Sequence, residues 1–579
     1  MEVMMKRTIS LIAALCLCVP LLSAAAPAAT AEDTVRVGLY YSGGSNGALV
    51  SANLENYSGT GSGYDFGYYD GNRQFVRLGG TAETQISMSQ DLNLYISNDG
   101  SYTTAAQSGA EVIGCFHLQL NEHYGSFDQA ASKAASLKNT YGAAFPAYVD
   151  GGFVVRVGSY TSRADAQAAL DRGVLDAYVE SGSSYTVTVI KTGTAEILFE
   201  YDGGGDTYLA VEPRATGSQE PQTWFKGYRY YGGFEYDRSP SLSGGMINVI
   251  NVVDLEDYVK GVITYEMSSS WPQEALKAQA ICARTFAMYQ TKHNSRNFDV
   301  CASTDCQVYR GTSASTSASD AAVEATAGLL LYYGGELVEP YYYSSNGGAS
   351  ENSENVWTAA LPYLRGKADP YEASITIPNY SYEKTYTADE LTSLLQKKGY
   401  DIGTVASVKP TYTAMGNIYT IEFTDTAGKS VTVRKESCRL LFSVPSMRFT
   451  ISAGGSAPVQ PGAPGASASG GPYYINSSGS QVSSLDGLYL ISGNGSVSQY
   501  NGAEDLYVLT SAGKAALGSG ESGGTTTSGA SVSGNTYVIQ GTGSGHNVGM
   551  SQYGAYAMAQ QGKTFRDILT FYYTGVTIQ

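Results

Sequence analysis

The chain has 579 residues, enough for several domains and more than one core. Its formal net charge is -17 with only 15% charged residues. So acidic a chain is a poor partner for nucleic acid, whose phosphates demand clustered Lys and Arg. The 68 Gly and 47 Tyr point instead to extended β structure with many turns, and tyrosine also offers flat faces for sugar rings.

The N-terminus reads as a secretory leader over residues 1–31. Lys6 and Arg7 precede an apolar run from 8 to 22 and then small residues up to Ala31. No later run is long enough to span a membrane, so the mature chain is expected outside the cytoplasm, exported and soluble unless it binds a surface by affinity. Five cysteines follow the leader (Cys115, Cys282, Cys301, Cys306 and Cys438), an odd and scattered set that gives no disulfide framework.

Residues 32–108 hold short strands broken by Gly, Asn and Asp, which predicts a β-rich N-terminal region without visible chemistry. Over 109–192 the pattern becomes strand, alanine-rich helix, two strands, helix, strand, with YTVTVIK as the last strand. The phrase FVVRVGSYTSRADAQAAL resembles a SPOR domain, which implies a ferredoxin-like βαββαβ module that binds glycan strands stripped of peptide. By that resemblance the sheet would face sugar, through Tyr148, Arg156 and Tyr160. An unrelated small α/β domain has the same element order.

The centre of the chain is INVINVVDLEDYVKGVITYEMSSSWPQEALKAQAICARTFAMY, residues 247–289. A strand leads into a short helix and a loop with one carboxyl, Glu266. Pro272 then opens a helix that is small or apolar almost all round, hence buried. Lys277 and Arg284, seven residues apart, share one face of it. Buried cations need an anion. The expectation is a cleft where Glu266 meets these two cations and an anionic ligand. Internal pairing with Glu256 or Glu274 is the other outcome, as is a Glu266 paired with Arg284.

The succession YRYYGGFE, VINVVDLEDYVKGV, YEMS, WPQEALKAQA, ARTFA, FDVCASTDCQVYRG, YYYSSNGGASEN, VW, PYLRG and GHNVGMSQYGAYAMAQQGKTFRDIL resembles the SpoIID/LytB family. The blocks cover 193–452 and 536–579. Between them, 453–535 holds Gly/Ser/Pro-rich linkers and three short strand-like runs, expected to form a small β insert. The overall expectation is a multidomain α+β protein whose catalytic part is mixed α+β.

The resemblance implies a peptidoglycan lytic transglycosylase with Glu266 as the catalytic acid. Such an enzyme cuts between N-acetylmuramic acid and N-acetylglucosamine on denuded strands and leaves 1,6-anhydro ends. Ordinary glycosidases need two carboxyl groups. Here the substrate's own 6-hydroxyl attacks, so one glutamate can give and then take a proton. Lys277 and Arg284 would hold the muramic lactyl carboxylate. Ser344, Ser345, His546 and Gln552 would line the cleft, unless they serve turns and helix caps. Relatives named amidase enhancers keep a second reading open: a non-catalytic wall-binding protein, with a cell-wall amidase as partner. No cofactor is required for the chemistry. The family implies a structural zinc near Cys301 and Cys306, here with Asp305 and His293 as the remaining donors; a Cys301–Cys306 disulfide or free thiols are the competing states.

Overall fold

The computed structural model describes residues 34–173, 175–453 and 526–579, together with the backbone of three hairpins between 474 and 517. Those hairpins fall where the sequence placed strand-like runs. The leader at 1–31 and most of the two linkers lie outside the described residues. The fold is mixed α+β with several sheets, as expected.

Two large sheets face each other across the main core. A seven-stranded sheet runs Val300–Cys301, Thr34–Tyr40, Asn248–Asp254, Gly233–Asp237, Leu209–Ala215, Gly61–Tyr69 and Phe75–Thr81. Val37, Phe66, Phe234 and Val249 from it pack with Ile86, Met88, Val189 and Phe199 from a ten-stranded sheet. The N-terminal β region is therefore no separate unit. Its first strand pairs antiparallel with Asn248–Asp254, in register Val35 to Val253, because each has an apolar face that only the other sheet can cover.

The expected βαββαβ module is present as topology. Its strands lie in the order Ala177–Ser181, Phe116–Leu120, Gly152–Tyr160, Ala144–Val149, and helices Phe127–Tyr141 and Arg163–Arg172 cover one face around Leu118, Val155 and Val157. Its closing strand differs from expectation. Ala177–Ser181 takes that place, while Val187–Lys191 of the YTVTVIK run pairs with Gln85–Gln90 and Ile197–Asp202. The module continues into the larger sheet through the parallel pairing of Ala147 with Glu200.

The central stretch folds as strand, helix, turn, helix. Asp254 caps helix Leu255–Glu266 by accepting from the Glu256 N–H at 2.8 Å, and Glu256 and Asp257 suit the positive end of its dipole. The backbone turns extended at Met267, and Pro272 then caps helix Gln273–Tyr289. That second helix lies between two cores. Ala280, Ala283 and Ala287 meet the sheets, whereas Leu276, Ile281 and Cys282 meet helices Gln552–Gln560 and Phe565–Tyr572. Small side chains on both faces are what let a helix sit so deeply.

After the insert, strand Thr536–Thr542 enters between Ser381–Thr387 and Phe449–Ala453. The chain end is thus woven into the fold: its two helices cover the central helix, and Tyr342 pairs parallel with Met550. Among the described residues, no helix is long and apolar enough to cross a membrane.

Candidate functional site

Glu266 is the last residue of its helix and half-buried. Its Oε1 accepts from the Val308 N–H at 3.2 Å and its Oε2 from Gln552 Nε2 at 3.4 Å. The Tyr342 hydroxyl is a third partner. A directed chain fixes that hydroxyl: Tyr258 donates to Gln307 Oε1 at 2.9 Å, and Gln307 Nε2 donates to the Tyr342 oxygen at 3.0 Å. The proton of Tyr342 is then free to point at Glu266. Burial raises the Glu266 pKa above the usual carboxylate range, against the lowering pull of these three donors. Among the described residues, no cation and no second carboxylate is a partner of Glu266.

Open space lies beside the segment that holds this carboxyl. A cavity of about 350 Å³ is lined by Tyr40, Ser303, Tyr228, Val308, Tyr309 and Arg310, and Val308 is the residue whose amide meets Glu266. On the Gln552 side, Trp271 packs at 5.0 Å from both Tyr553 and Tyr556.

Of the residues named from sequence, Glu266 and Gln552 come together. The two cations do not join them. Arg284 is fully buried and binds Glu256 through both ends of its fork, at 2.7 and 2.6 Å. Lys277 pairs with Glu274 at 2.7 Å. The seven-residue spacing puts them on one face, but Lys277 meets Glu274 one turn back and Arg284 meets Glu256 of the preceding helix. A buried guanidinium is satisfied most cheaply by the nearest carboxylate.

The polar loop also differs from expectation. Ser345 donates to Glu372 at 2.8 Å, and the N–H groups of Asn346 and Gly347 bind the same carboxylate at 2.8 and 3.1 Å, with Ser551 as a further donor. Ser345 is therefore an internal anchor. Ser344 uses its carbonyl to accept from the Tyr553 N–H. His546 is ringed by Trp357, Tyr343 and Tyr341, and its Nδ1 accepts from the Val548 N–H at 3.1 Å. Burial pushes its pKa down to about 4, so it stays neutral and acts as packing. Ser551 caps the helix that follows.

The sugar-facing role expected of Arg156 is likewise replaced by an internal one. Arg156 is 2% exposed, pairs with Glu200 at 2.7 Å and holds Gln119 at 3.1 Å. Tyr148 stacks on Tyr201 with ring centres 5.7 Å apart, and Tyr160 packs against the module's own core. Asp91 and His117 complete a buried ion cluster with Glu200, so this sheet face is filled by the protein itself.

His293, Cys301, Asp305 and Cys306 place one donor atom each within 4.8 Å of one another. Parallel pairing of Gly38 with Cys301 sets the first thiol, and His293 stacks on Phe298 at 4.9 Å. Both cysteines are free thiols. The hydrogen bond from Cys306 holds the Cys301 thiol far below its usual range and pushes Cys306 up. The His293 Nε2 is buried with no hydrogen bond. Two sulfurs, an imidazole and a carboxylate fit a tetrahedral zinc, which would tie strand Val300–Cys301 to the loop before it. Lys292 competes for Asp305 at 2.6 Å.

Fold and site together define an α+β protein organised around one desolvated glutamate, held by a segment that lines an aromatic cavity. The profile of the family described as Stage II sporulation protein (SpoIID) matches residues 243–333, the segment that carries Glu266. The chain belongs to the SpoIID family. It is 30% identical over 354 residues to an uncharacterized protein of Brachyspira hyodysenteriae, covering 61% of this chain and 73% of that one. It is 31% identical over 332 residues to the amidase enhancer of Bacillus subtilis (55% of this chain, 40% of that one). It is 35% identical over 162 residues to stage II sporulation protein D of the same organism (25% and 47%). The chain thus spans under half the length of either Bacillus relative.

Proposed function

We propose that this protein is a lytic transglycosylase of the bacterial cell wall, acting on peptide-stripped glycan with Glu266 as its single acid and base. One observation carries the reading: a carboxyl raised by burial, with neither a cation nor a second carboxylate as partner. A two-carboxyl glycosidase needs the second group to activate water or attack the sugar. A self-attacking substrate does not.

In this scheme protonated Glu266 gives its proton to the leaving glycosidic oxygen. The carboxylate so formed accepts the proton of the 6-hydroxyl as that oxygen closes on the anomeric carbon. Val308, Gln552 and Tyr342 hold the carboxylate between the two steps. The test is digestion of amidase-stripped glycan by the parent protein and by Glu266→Gln, with mass spectrometry of the ends. Anhydromuramic ends from the parent alone support the scheme; reducing ends would mean that water attacks.

The relative named amidase enhancer favours a second reading, in which the same cleft binds glycan and stimulates an amidase without cutting. Glycan left intact by the parent, together with a faster amidase, would identify that case. Under either reading the protein works outside the cytoplasm.

A further inference from the structure

In a chain at -17, many basic residues near the core are neutralised by carboxylates: Arg36 by Glu235, Lys260 by Asp257, Arg284 by Glu256, Lys277 by Glu274. Several others join no ion pair among the described residues, and three of these, Lys226, Arg229 and Arg310, lie over aromatic rings around one hairpin. Arg310 sits 5.5 Å above Tyr228 and 6.0 Å above Tyr265. Arg229 is 4.9 Å above Tyr57 and 6.0 Å above Trp224, and Lys226 is 6.0 Å above Tyr40. Both guanidinium groups reach Tyr265 electrostatically, so they share one patch.

We propose that the hairpin of residues 223–230 and the segment 308–310 form a cationic aromatic strip that binds a carboxylate-bearing glycan strand and leads it to Glu266. The ligand class rests on the function proposed above. A guanidinium stacked on a ring keeps its in-plane N–H fork free for a carboxylate, which a lysine or an internally paired arginine cannot offer. Arg310 spends Nη1 on the Tyr228 hydroxyl at 3.1 Å, and Arg229 spends Nη2 on the Ser313 carbonyl at 3.4 Å, which leaves the other N–H groups of each for a ligand. The tyrosine faces between the cations suit the apolar faces of sugar rings.

Position joins the strip to the site. Arg310 is two residues from Val308, whose amide touches Glu266, and Tyr265 precedes Glu266 in the chain. The cavity of about 350 Å³ is lined by Tyr228 and Arg310 together with Val308. A second, of about 420 Å³, lies across the hairpin against Trp224 and Lys226. Stripped glycan has the complementary charge, because each muramic unit carries a free lactyl carboxylate.

Binding is measured with the full chain carrying Glu266→Gln, so that nothing is cut. Soluble amidase-stripped glycan is compared with chitin oligomers of equal length, with poly-glutamate, and with stripped glycan whose carboxyl groups are amidated. Stripped glycan should bind best, and more weakly as salt rises. Arg310→Ala and Arg229→Ala should each weaken binding about tenfold, the effect of losing roughly 1.4 kcal/mol. Amidated glycan should lose the same advantage without any change to the protein. Equal binding of chitin or poly-glutamate overturns the proposal, as does full affinity in both variants when their melting curves match the parent. Failure of the parent to cut glycan would count against the catalytic scheme alone.

Discussion

Glu266 and Glu372 are both glutamates whose pKa burial raises, yet their surroundings make them opposites. Glu372 is 2% exposed, and Ser345, Ser551 and two successive N–H groups fill its lone pairs with short bonds. It fastens the polar loop to the helix beginning at Gln552. Glu266 has long bonds to Val308 and Gln552, and Val308 lines a cavity. A carboxyl saturated by short bonds from its own protein holds structure; one held by long bonds can exchange a donor for a substrate oxygen.

The sharpest way to break this contrast is kinetic. Glu266→Gln should lower turnover of stripped glycan by about 10²–10⁴-fold, the range for losing a general acid, with an unchanged circular dichroism spectrum. Glu372→Gln should leave turnover per folded molecule near that of the parent. If the two variants behave alike in the glycan assay, the distinction fails.

Stability measurements then separate internal charges from the cleft. Arg284→Ala leaves Glu256 without its cation and should cost about 3–5 kcal/mol in urea unfolding. An Arg284 that held substrate instead would raise KM with little change in the unfolding midpoint. Ser345→Ala, which removes one donor from the Glu372 nest, should cost about 1–3 kcal/mol by the same method.

The smallest effect concerns pH. A carboxyl whose folded pKa lies above its unfolded value contributes stability fully below the ordinary glutamate range and loses it as pH rises through the raised value. Glu266→Gln removes that loss. Its melting temperature at neutral pH should equal or slightly exceed the parent's, with the gap closing as the solution is acidified. In the parent, turnover should fall as pH climbs through the same raised pKa, because the protonated form starts the reaction. A variant less stable than the parent at neutral pH would mean that the carboxylate is a structural partner.

Local patterns were legible wherever period and spacing dictate them. The alanine-rich helix after Pro272 and the βαββαβ order follow from side-chain periodicity and breakers, whereas Glu266, expected in the loop, closes the helix before it. The aromatic cations were missed, although Arg229 and Arg310 stand in tyrosine-rich runs, YRYY and VYRG, that were a signal of sorts. Nothing in those runs says which arginine will find a carboxylate. His546 and Ser345 look alike as polar residues in glycine-rich loops, yet both are internal.

The sequence by itself determined the class of fold and the family, because these rest on neighbours along the chain. Tertiary structure decided which charges are spent inside. Arg284 meets Glu256 across 28 residues, Ser345 meets Glu372 across 27, and the Glu266 pocket needs Gln552 from 286 residues away. Desolvation depends on what packs around a group, and that is fixed only when distant segments close over it.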